Sequence, residues 1–232
     1  MSLENNLKNW KKKRLFDYFA YDFVKVTGAL PMLAWMRPKL YYPFGKPKKT
    51  GAMIVAANHP TWLDPIIVQV AFPFRHMHSL ATKDLFDTRM KRLMFEHMHC
   101  IIVDKENFSL ASFRAVVECL EVGNLVVIFP EGGIDSEGTG DVRAYKSGAV
   151  LMAHKAGASI VPMYIIKRKK WYHRQRAVVG MPVDVAQLLG KMPTMQAVTE
   201  VTELLREKEI ELKEYFESLP VYTKLFSESK KG

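Results

Sequence analysis

The chain contains few cysteines and no secretory signal. Its 232 residues include two cysteines, Cys100 and Cys119, too few for a disulfide framework and without the spacing of metal ligands. The basic start is followed by a stretch that Asp17, Asp22 and Lys25 interrupt, unlike a signal peptide. Repeats and low-complexity tracts are also missing. We therefore expect a globular protein of a reducing compartment that is not exported.

The positive charge of the chain is concentrated near its N-terminus. Residues 1–50 hold eleven Lys or Arg and three acidic residues, which leaves +8 of the total net charge of +10. On a helical projection most charged side chains lie opposite a phenylalanine stripe, a pattern typical of membrane interfaces, and the charges argue against a membrane span. A helix packed on the domain by its aromatic face remains an equal alternative. The candidate membrane-contacting residues are Trp10, Lys11, Lys12, Lys13, Arg14, Phe16, Phe19 and Phe23.

From residue 52 onward, short β-rich runs alternate with longer helical patterns. These patterns predict strands at 52–57, 77–82, 100–103, 124–129, 159–166 and 177–181, and helices at 62–71, 84–96, 108–121, 146–156 and 195–218. Such alternation is typical of an α/β fold with a mostly parallel sheet flanked by helices. The predicted organisation is an N-terminal amphipathic helical membrane-binding element, residues 1–40, followed by an α/β domain, residues 41–232.

Two polar motifs directly follow predicted strands. They are "NHPTWLD" at 58–64 and "FPEGGID" at 129–135. Because ligands bind at the carboxyl ends of parallel strands, we expect both motifs to share one pocket. Asp64 is close enough to orient the imidazole of His59 and leave its other nitrogen free to accept a proton. The spacing alone favours a plainer interpretation, in which Asp64 is a helix-start acid and His59 an ordinary loop residue.

Further short segments show a resemblance to a known family. "NHPTWLD" matches the motif NHxxxxD, and "FPEGGID" resembles F-P-E-G-T-R-S. Four other segments are also similar to motifs of that family. "KDLF" resembles K-x-E-L-F, "HCIIVDK" resembles G-x-I-F-I-D-R, "YKSGA" resembles K-x-G-A and "IVPMYI" resembles V-P-V. Along the chain, from about residue 52 to 165, these segments occur in the same order as the motifs of the glycerolipid acyltransferase family, which the chain therefore resembles. The best-known bacterial members of that family make phosphatidic acid from lysophosphatidic acid.

The resemblance implies transfer of a fatty acyl group from acyl-CoA or acyl carrier protein to the hydroxyl of a lysolipid, at the cytoplasmic face of a membrane. His59 would be the general base and Asp64 its orienting partner, with no cofactor, metal or nucleophilic side chain required. Backbone N–H groups beside the Gly-Gly pair would hold the oxyanion. The candidate acceptor-binding residues are Glu131, Gly132, Lys105, Lys83, Arg143 and Lys146.

Two departures from the family pattern concern the phosphate of the acceptor. The family has arginines where this chain has Lys105 and Ile134. Lysine keeps the charge but lacks the planar fork of arginine, and isoleucine lacks both charge and donors. Arg143 or Lys146, a short loop further on, can substitute. Another lysolipid or an amino-acid lipid therefore stays open as the acceptor beside lysophosphatidic acid.

Two other segments permit simple structural interpretations. The basic run "KRKKWYHRQR" at 167–176 suits either a second lipid contact or an exposed β-hairpin tip. The predicted helix at 195–218 contains seven glutamates and three basic residues. We expect this helix to be a solvated outer helix that faces away from lipid.

Two alternatives come from other classes of protein. The sequence "HMH" occurs at His76 and His78 and again at His97 and His99. Together with Glu131, these histidines allow a metal site such as that of a metal-dependent hydrolase. A non-catalytic module that binds nucleic acid or membrane through its basic surface is the other alternative. The aromatic residues near the charge lie on a helical stripe, which favours lipid over nucleic acid.

Overall fold

The fold is built around one mostly parallel β-sheet. The computed structural model describes residues 22–23, 27, 31–47, 50–82, 88–89, 99–103, 109–135, 140–168, 170 and 172–226. Within these residues the strands are β1 (Lys39–Tyr41), β2 (Met53–Ala57), β3 (Met77–Thr82), β4 (Ile101–Val103), β5 (Leu125–Ile128), β6 (Ser159–Ile166), β7 (Arg176–Val179) and β8 (Val183–Asp184). Six of these strands coincide with the predicted runs, and β1 and β8 were not predicted.

Helices connect the strands and cover the sheet. They are α1 (Asp64–Ala71), α2 (Leu110–Glu121), α3 (Gly148–Ala156), α4 (Val185–Leu189), α5 (Met195–Ser218) and α6 (Pro220–Phe226), and residues 31–36 are also helical. The predicted helices at 62–71, 108–121, 146–156 and 195–218 are confirmed within two residues at either end. The predicted helix at 84–96 lies outside the described residues, except for residues 88 and 89.

The strand pairing confirms the predicted mostly parallel sheet. The sheet runs β1-β7-β6-β2-β5-β3-β4, and β8 also pairs with β6. Pairing is parallel throughout except where β6 meets β7 and β8. Parallel neighbours need long crossovers, and α1, α2 and α3 supply them between successive strands. The carboxyl ends of β2, β5 and β6 therefore lie side by side at one edge of the sheet.

The centre of the sheet is buried on both faces. In β2, Met53, Val55 and Ala57 pack into one apolar cluster, while Ile54 and Ala56 pack into another on the opposite face. All five side chains of this strand are buried. Two-sided burial explains why the strand is continuously apolar in sequence instead of alternating.

Helix α5 is exposed on only one face, whereas it was predicted to be a solvated outer helix. Five of its seven glutamates are exposed, but the opposite face packs on the sheet. The reason is an apolar series at helical spacing, which a count of charges does not detect. The buried apolar side chains of this face are Val198, Val201, Leu205, Leu212 and Phe216.

The N-terminal element is described only in part. Of the candidate membrane-contacting residues, all but Phe23 lie outside the described residues, and Phe23 is 61% exposed. Strand β1 pairs with β7, so the sheet includes Lys39 and Leu40, which the prediction assigned to the N-terminal element. None of the described helices is both long enough and apolar enough to cross a membrane.

Candidate active site

His59 and Asp64 are in direct contact at the edge of the sheet. β2 ends at Ala57 and α1 begins at Asp64, so the histidine lies in the loop between them. His59 Nδ1 is 2.8 Å from Asp64 Oδ2. The Asp64 side chain is 1% exposed and that of His59 is 16% exposed. The contact that the spacing permits is therefore present, and solvent reaches the histidine but not its partner.

Thr61 completes the hydrogen bonding of the Asp64 carboxylate. Its N–H donates to Oδ2 and its hydroxyl donates to Oδ1, each over 2.7 Å. Because an ionised carboxylate only accepts hydrogen bonds, we assign the proton of the imidazole to His59 Nδ1. Nε2 then keeps its lone pair, and no residue in the described part of the chain hydrogen-bonds to it.

The second motif contacts the first through Phe129. Its ring stacks on the imidazole of His59, with centroids 3.9 Å apart and planes 10° apart. The backbone N–H of Asp135 also donates to the carbonyl oxygen of His59 over 2.8 Å. The prediction that both motifs lie at the same edge of the sheet is confirmed.

Asn58 fixes the start of the histidine loop. Its Nδ2 donates to Ile165 O over 3.0 Å, and its Oδ1 accepts from Ile165 N over 2.7 Å. The side chain thereby extends the pairing of β2 with β6 by one residue. The backbone N–H of Asn58 donates to Glu209 Oε1 over 3.0 Å. Three hydrogen bonds to interior groups thus hold the residue before His59.

Glu131 forms a two-pronged ion pair with Arg143. Nε and Nη2 of Arg143 donate to Glu131 Oε2 over 2.9 and 2.8 Å, and the backbone N–H of Arg143 donates to Oε1 over 3.1 Å. Arg143 Nη2 also donates to Gly133 O. The Glu131 side chain is 1% exposed, whereas that of Arg143 is 41% exposed. Within the described residues Nη1 has no hydrogen-bond partner, so the guanidinium presents one edge outward.

Gly132 and Lys146 are neighbours in this site. Gly132 has φ +79°, a conformation that disfavours other residues, and a Cβ placed there would be 2.9 Å from Lys146 Nζ. The ammonium group of Lys146 therefore fills the space beside Gly132, a candidate acceptor-binding residue. The Gly132 N–H donates to Phe129 O over 3.0 Å, so this group is not free to bind an oxyanion. Lys146 is exposed, and its ammonium forms no ion pair within the described part of the chain.

The loop that bears Arg143 is tied to the sheet and to α5. Tyr164 donates its hydroxyl to Gly140 O over 2.9 Å. Burial raises the pKa of the Tyr164 phenol, and nearby acidic groups raise it further. Arg206 donates to the carbonyl oxygens of Arg143 and Val142 over 3.2 and 3.3 Å. These contacts hold Arg143 in place beside the turn that contains Glu131.

Glu209 is a site residue that the sequence did not reveal. It lies on α5, is fully buried, and reaches the backbone of Asn58. Burial raises the pKa of its carboxyl well above the ordinary value, and the charge of Glu131 raises it further, against the smaller effect of the Asn58 hydrogen bond. Burial and the charge of Glu131 therefore both favour the protonated form of Glu209. Its only signal in the sequence is its position, because it is the one acid at the helical spacing of the buried apolar residues of α5.

Several predicted site residues cannot be placed. Lys83 and Lys105 lie outside the described residues, as does His97. Ile134, which replaces a family arginine, is 46% exposed beside the Glu131 turn.

In the part of the chain that the structure describes, His76, His78 and His99 contact groups other than Glu131. His78 is fully buried on β3 and stacks on His99 with ring centroids 5.5 Å apart. His76 precedes the strand and contacts Asp22 over 3.2 Å. No group of three or more potential metal ligands occurs within the described residues. The metal-dependent hydrolase alternative therefore gains no support from this part of the chain.

The basic run at 167–176 connects antiparallel β6 and β7, as expected of a hairpin tip. We call residues 167–176 the basic hairpin. It contacts the helical residues 31–36 and their neighbour: Arg168 lies 4.5 Å from the ring centroid of Trp35, and Arg37 donates to Tyr172 O over 3.2 Å. Trp35 and Arg37 thus lie against the basic hairpin on one side of the molecule.

Comparisons with known proteins agree with this architecture. Residues 43–166 match the family described as Acyltransferase. The chain is 27% identical over 190 residues to the 1-acyl-sn-glycerol-3-phosphate acyltransferase of Bacillus subtilis, which covers 78% of this chain and 90% of the relative. It is 32% identical over 131 residues to a probable 1-acyl-sn-glycerol-3-phosphate acyltransferase of Mycoplasma pneumoniae, covering 53% of this chain and 47% of the relative.

A solved structure shares the fold. The crystal structure of the 1-acyl-sn-glycerophosphate acyltransferase of Thermotoga maritima superposes with a TM-score of 0.60 at 19% identity, covering 85% of this chain and 81% of the other. The fold and the matched motifs define an α/β enzyme that transfers acyl groups. The chain belongs to the Acyltransferase family.

Proposed function

We propose that this enzyme transfers a fatty acyl group from a thioester to the free hydroxyl of lysophosphatidate, with His59 as the general base. The observation that supports the role of His59 most directly is its 2.8 Å contact with the buried Asp64, which leaves Nε2 without a partner in the described residues. The names of the relatives from Bacillus subtilis and Mycoplasma pneumoniae support the choice of acceptor.

In this mechanism Nε2 of His59 removes the proton of the acceptor hydroxyl. The oxygen attacks the thioester carbonyl carbon, an ester bond forms, and the thiolate leaves and takes the proton back from the imidazolium. Asp64 stabilises the imidazolium while it exists. General-base assistance of this kind contributes about 10²- to 10⁴-fold to the rate. Because a thiolate leaves readily, no covalent enzyme intermediate is required, and Cys119 is buried in α2.

We assign the acceptor phosphate to the cations beside the Glu131 turn. Glu131 orients Arg143, whose outward Nη1 is able to donate to a phosphate oxygen. Lys146 adds a second positive charge beside Gly132. Lys83 and Lys105 are further candidates from the sequence alone. With fewer arginines than the family pattern, this arrangement also permits another lysolipid or an amino-acid lipid as acceptor.

We further propose that the acceptor is taken from a membrane surface. The basic hairpin and residues 35–37 form a joint surface that presents Trp35, Tyr172 and several cations, a composition suited to anionic headgroups. The N-terminal residues 1–40 would extend this surface ahead of the catalytic domain, residues 41–232. We propose that this binding is peripheral or monotopic and takes place at the cytoplasmic face of the membrane.

The test is a substrate panel. Purified enzyme is incubated with labelled acyl-CoA or with acyl carrier protein charged with the same chain, and with lysophosphatidate, an uncharged lysolipid or an amino-acid lipid. Products are identified by mass. Phosphatidate as the main product supports the proposed acceptor, and the faster thioester identifies the donor. A different main product, or thioester hydrolysis alone, would contradict the assignment.

A further inference from the structure

The candidate active site depends on a helix that lies outside the matched family region. The match ends at residue 166, whereas α5 begins at Met195. Nevertheless, α5 contacts the first motif loop and the loop that bears Arg143. Arg206 donates to the backbone of the loop that bears Arg143, and Glu209 accepts from the backbone N–H of Asn58. The contact with Asn58 joins residues that are 151 positions apart in the chain.

The Glu209 carboxyl is unusual for its surroundings. Its side chain is fully buried, Oε1 accepts the Asn58 N–H, and Oε2 has no partner within the described residues. The neighbouring acid Glu131 is paired with Arg143, and within the described residues no cation forms an ion pair with Glu209. A buried carboxyl in this setting is retained as a neutral acid, whose carbonyl oxygen is still a good acceptor.

The bond at Asn58 bears directly on the histidine. Two hydrogen bonds with Ile165 fix the side chain of Asn58, and Glu209 fixes its N–H. The adjacent His59 is then held by Asp64 through one nitrogen and by Phe129 through its ring face. If the Asn58 N–H lost its acceptor, the Ala57–Asn58 peptide, which leads into His59, would lose one of the contacts that fix its orientation. A displacement of about 1 Å at a reacting group is enough to reduce a rate by about 10²-fold.

We propose that Glu209 is a positioning residue for His59, acting as a buried hydrogen-bond acceptor for the Asn58 N–H. The inference rests on the proposed function, because it concerns the rate of the step that His59 assists. What Glu209 provides is an oxygen at one fixed position, and a negative charge is not needed. Side chains that keep the oxygen in place should therefore replace it, and a shorter acid should not.

Two substitutions separate the position of the oxygen from the presence of a carboxyl. Glu209→Gln keeps an acceptor oxygen at the same reach without an acid, and Glu209→Asp keeps the acid but withdraws the oxygen by one methylene. Glu207→Gln and Glu207→Asp are matched controls, because Glu207 is an exposed glutamate on the same helix. For each variant kcat and KM for the acyl thioester are measured, and thermal unfolding confirms that the protein is folded.

We expect the kcat of Glu209→Gln to stay within about threefold of wild type, and that of Glu209→Asp to fall at least about tenfold with KM changed less than about threefold. Both Glu207 variants should match wild type. The inference is overturned if the Gln variant loses as much kcat as the Asp variant, or if the Asp variant retains wild-type kcat. Should the Asp variant not fold, the Gln variant decides alone, since a tenfold loss of kcat in a folded Gln variant contradicts the role of acceptor.

His59→Ala in the same assay separates this inference from the proposed function. Full transfer by His59→Ala would remove the general-base mechanism and the Glu209 inference together. Loss of transfer in His59→Ala, combined with wild-type kcat in Glu209→Asp, would contradict only the role of Glu209.

Discussion

The imidazole of His59 lies flat on the ring of Phe129, 3.9 Å away between centroids. The two residues come from different loops, which follow the neighbouring parallel strands β2 and β5. Asp64 fixes the ring of His59 through one nitrogen, and the stack fixes the plane of that ring. The two motifs are therefore one structural unit in which the second motif orients the histidine of the first.

This stack predicts a graded effect of substitutions at Phe129. Phe129→Leu keeps apolar volume but loses the ring face, and aromatic pairs contribute about 0.5–1.5 kcal/mol. We expect kcat to fall by about two- to tenfold with little change in KM. Phe129→Tyr keeps the ring and is the control, which should retain most of the activity. Equal kinetics for the Leu and Tyr variants would show that the stack does not orient the histidine.

The hydrogen bonds of Asp64 predict that substitutions of Asp64 and Thr61 lower kcat by different amounts. In Asp64→Asn the amide can donate to His59 Nδ1, which favours the tautomer with the proton on Nε2 and removes the base. We expect kcat to fall by about 10²- to 10⁴-fold. Thr61→Val removes only the hydroxyl bond to Oδ1 and should cost about 1 kcal/mol of stability, with a smaller loss of kcat. Steady-state kinetics and chemical denaturation measure both, and an active Asp64→Asn enzyme would contradict the assigned tautomer.

The ion pair of Glu131 and Arg143 predicts that substitutions of these two residues have non-additive effects on KM. If Arg143 binds phosphate and Glu131 orients it, Arg143→Ala should raise KM for lysophosphatidate by about tenfold, equivalent to about 1.4 kcal/mol. Glu131→Gln should raise the same KM, and the double variant should add little to Arg143→Ala. An uncharged lysolipid is the control substrate, whose KM should not change. Additive effects, or equal effects on both substrates, would place the phosphate elsewhere.

The basic surfaces predict salt-sensitive binding to vesicles. Replacing Arg168 and Lys170 of the basic hairpin by glutamine should weaken binding to anionic vesicles by about 1 kcal/mol per charge, and the same change at Lys11 and Lys12 should act similarly. Added salt should weaken wild-type binding. Lys191→Gln is the control, because Lys191 adjoins Gly190, which contacts α3 near the opposite edge of the sheet. Co-sedimentation that none of these changes affects would reject the electrostatic contact.

The raised pKa of Glu209 predicts how stability varies with pH. The folded protein holds this proton to a higher pH than the unfolded chain, in which a glutamate titrates near about 4.3. The folded state therefore binds more protons than the unfolded chain. The contribution of Glu209 to the free energy of unfolding is complete below about pH 4 and declines as the pH rises through the folded pKa. Glu131 is the neighbouring acid that adds to the shift, and the Asn58 N–H opposes it. The measurement is the thermal unfolding of wild type and Glu209→Gln across a range of pH. The variant should gain stability relative to wild type as the pH rises. Parallel curves of stability against pH would contradict the raised pKa of Glu209.

Local patterns were sufficient to predict most of the fold. Continuous apolar runs identified the central strands, because burial on both faces removes any alternation. The motif after β2 identified His59 and Asp64, since five residues are enough to reach from the loop to the first helical turn. Strand β8 was missed because two residues leave no periodic signal.

The rest of the site depends on contacts between distant residues. Phe129 resembles any apolar residue at a strand end until β2 and β5 are placed side by side. Glu209 has six other glutamates on its helix, and only the packing of α5 on the sheet distinguishes it from them. Single hydrogen bonds across 151 residues leave no local signature, so sequence patterns cannot show them.

The contact between Asn58 and Glu209 also sets an order of assembly. A ribosome makes the loop of His59 long before α5, so a nascent chain that ends ahead of Glu209 has both motifs but no acceptor for the Asn58 N–H. Closing so long a loop is a late and entropically costly event, on the ribosome as in refolding. Acyl transfer should therefore reach its full rate only after α5 docks on the sheet.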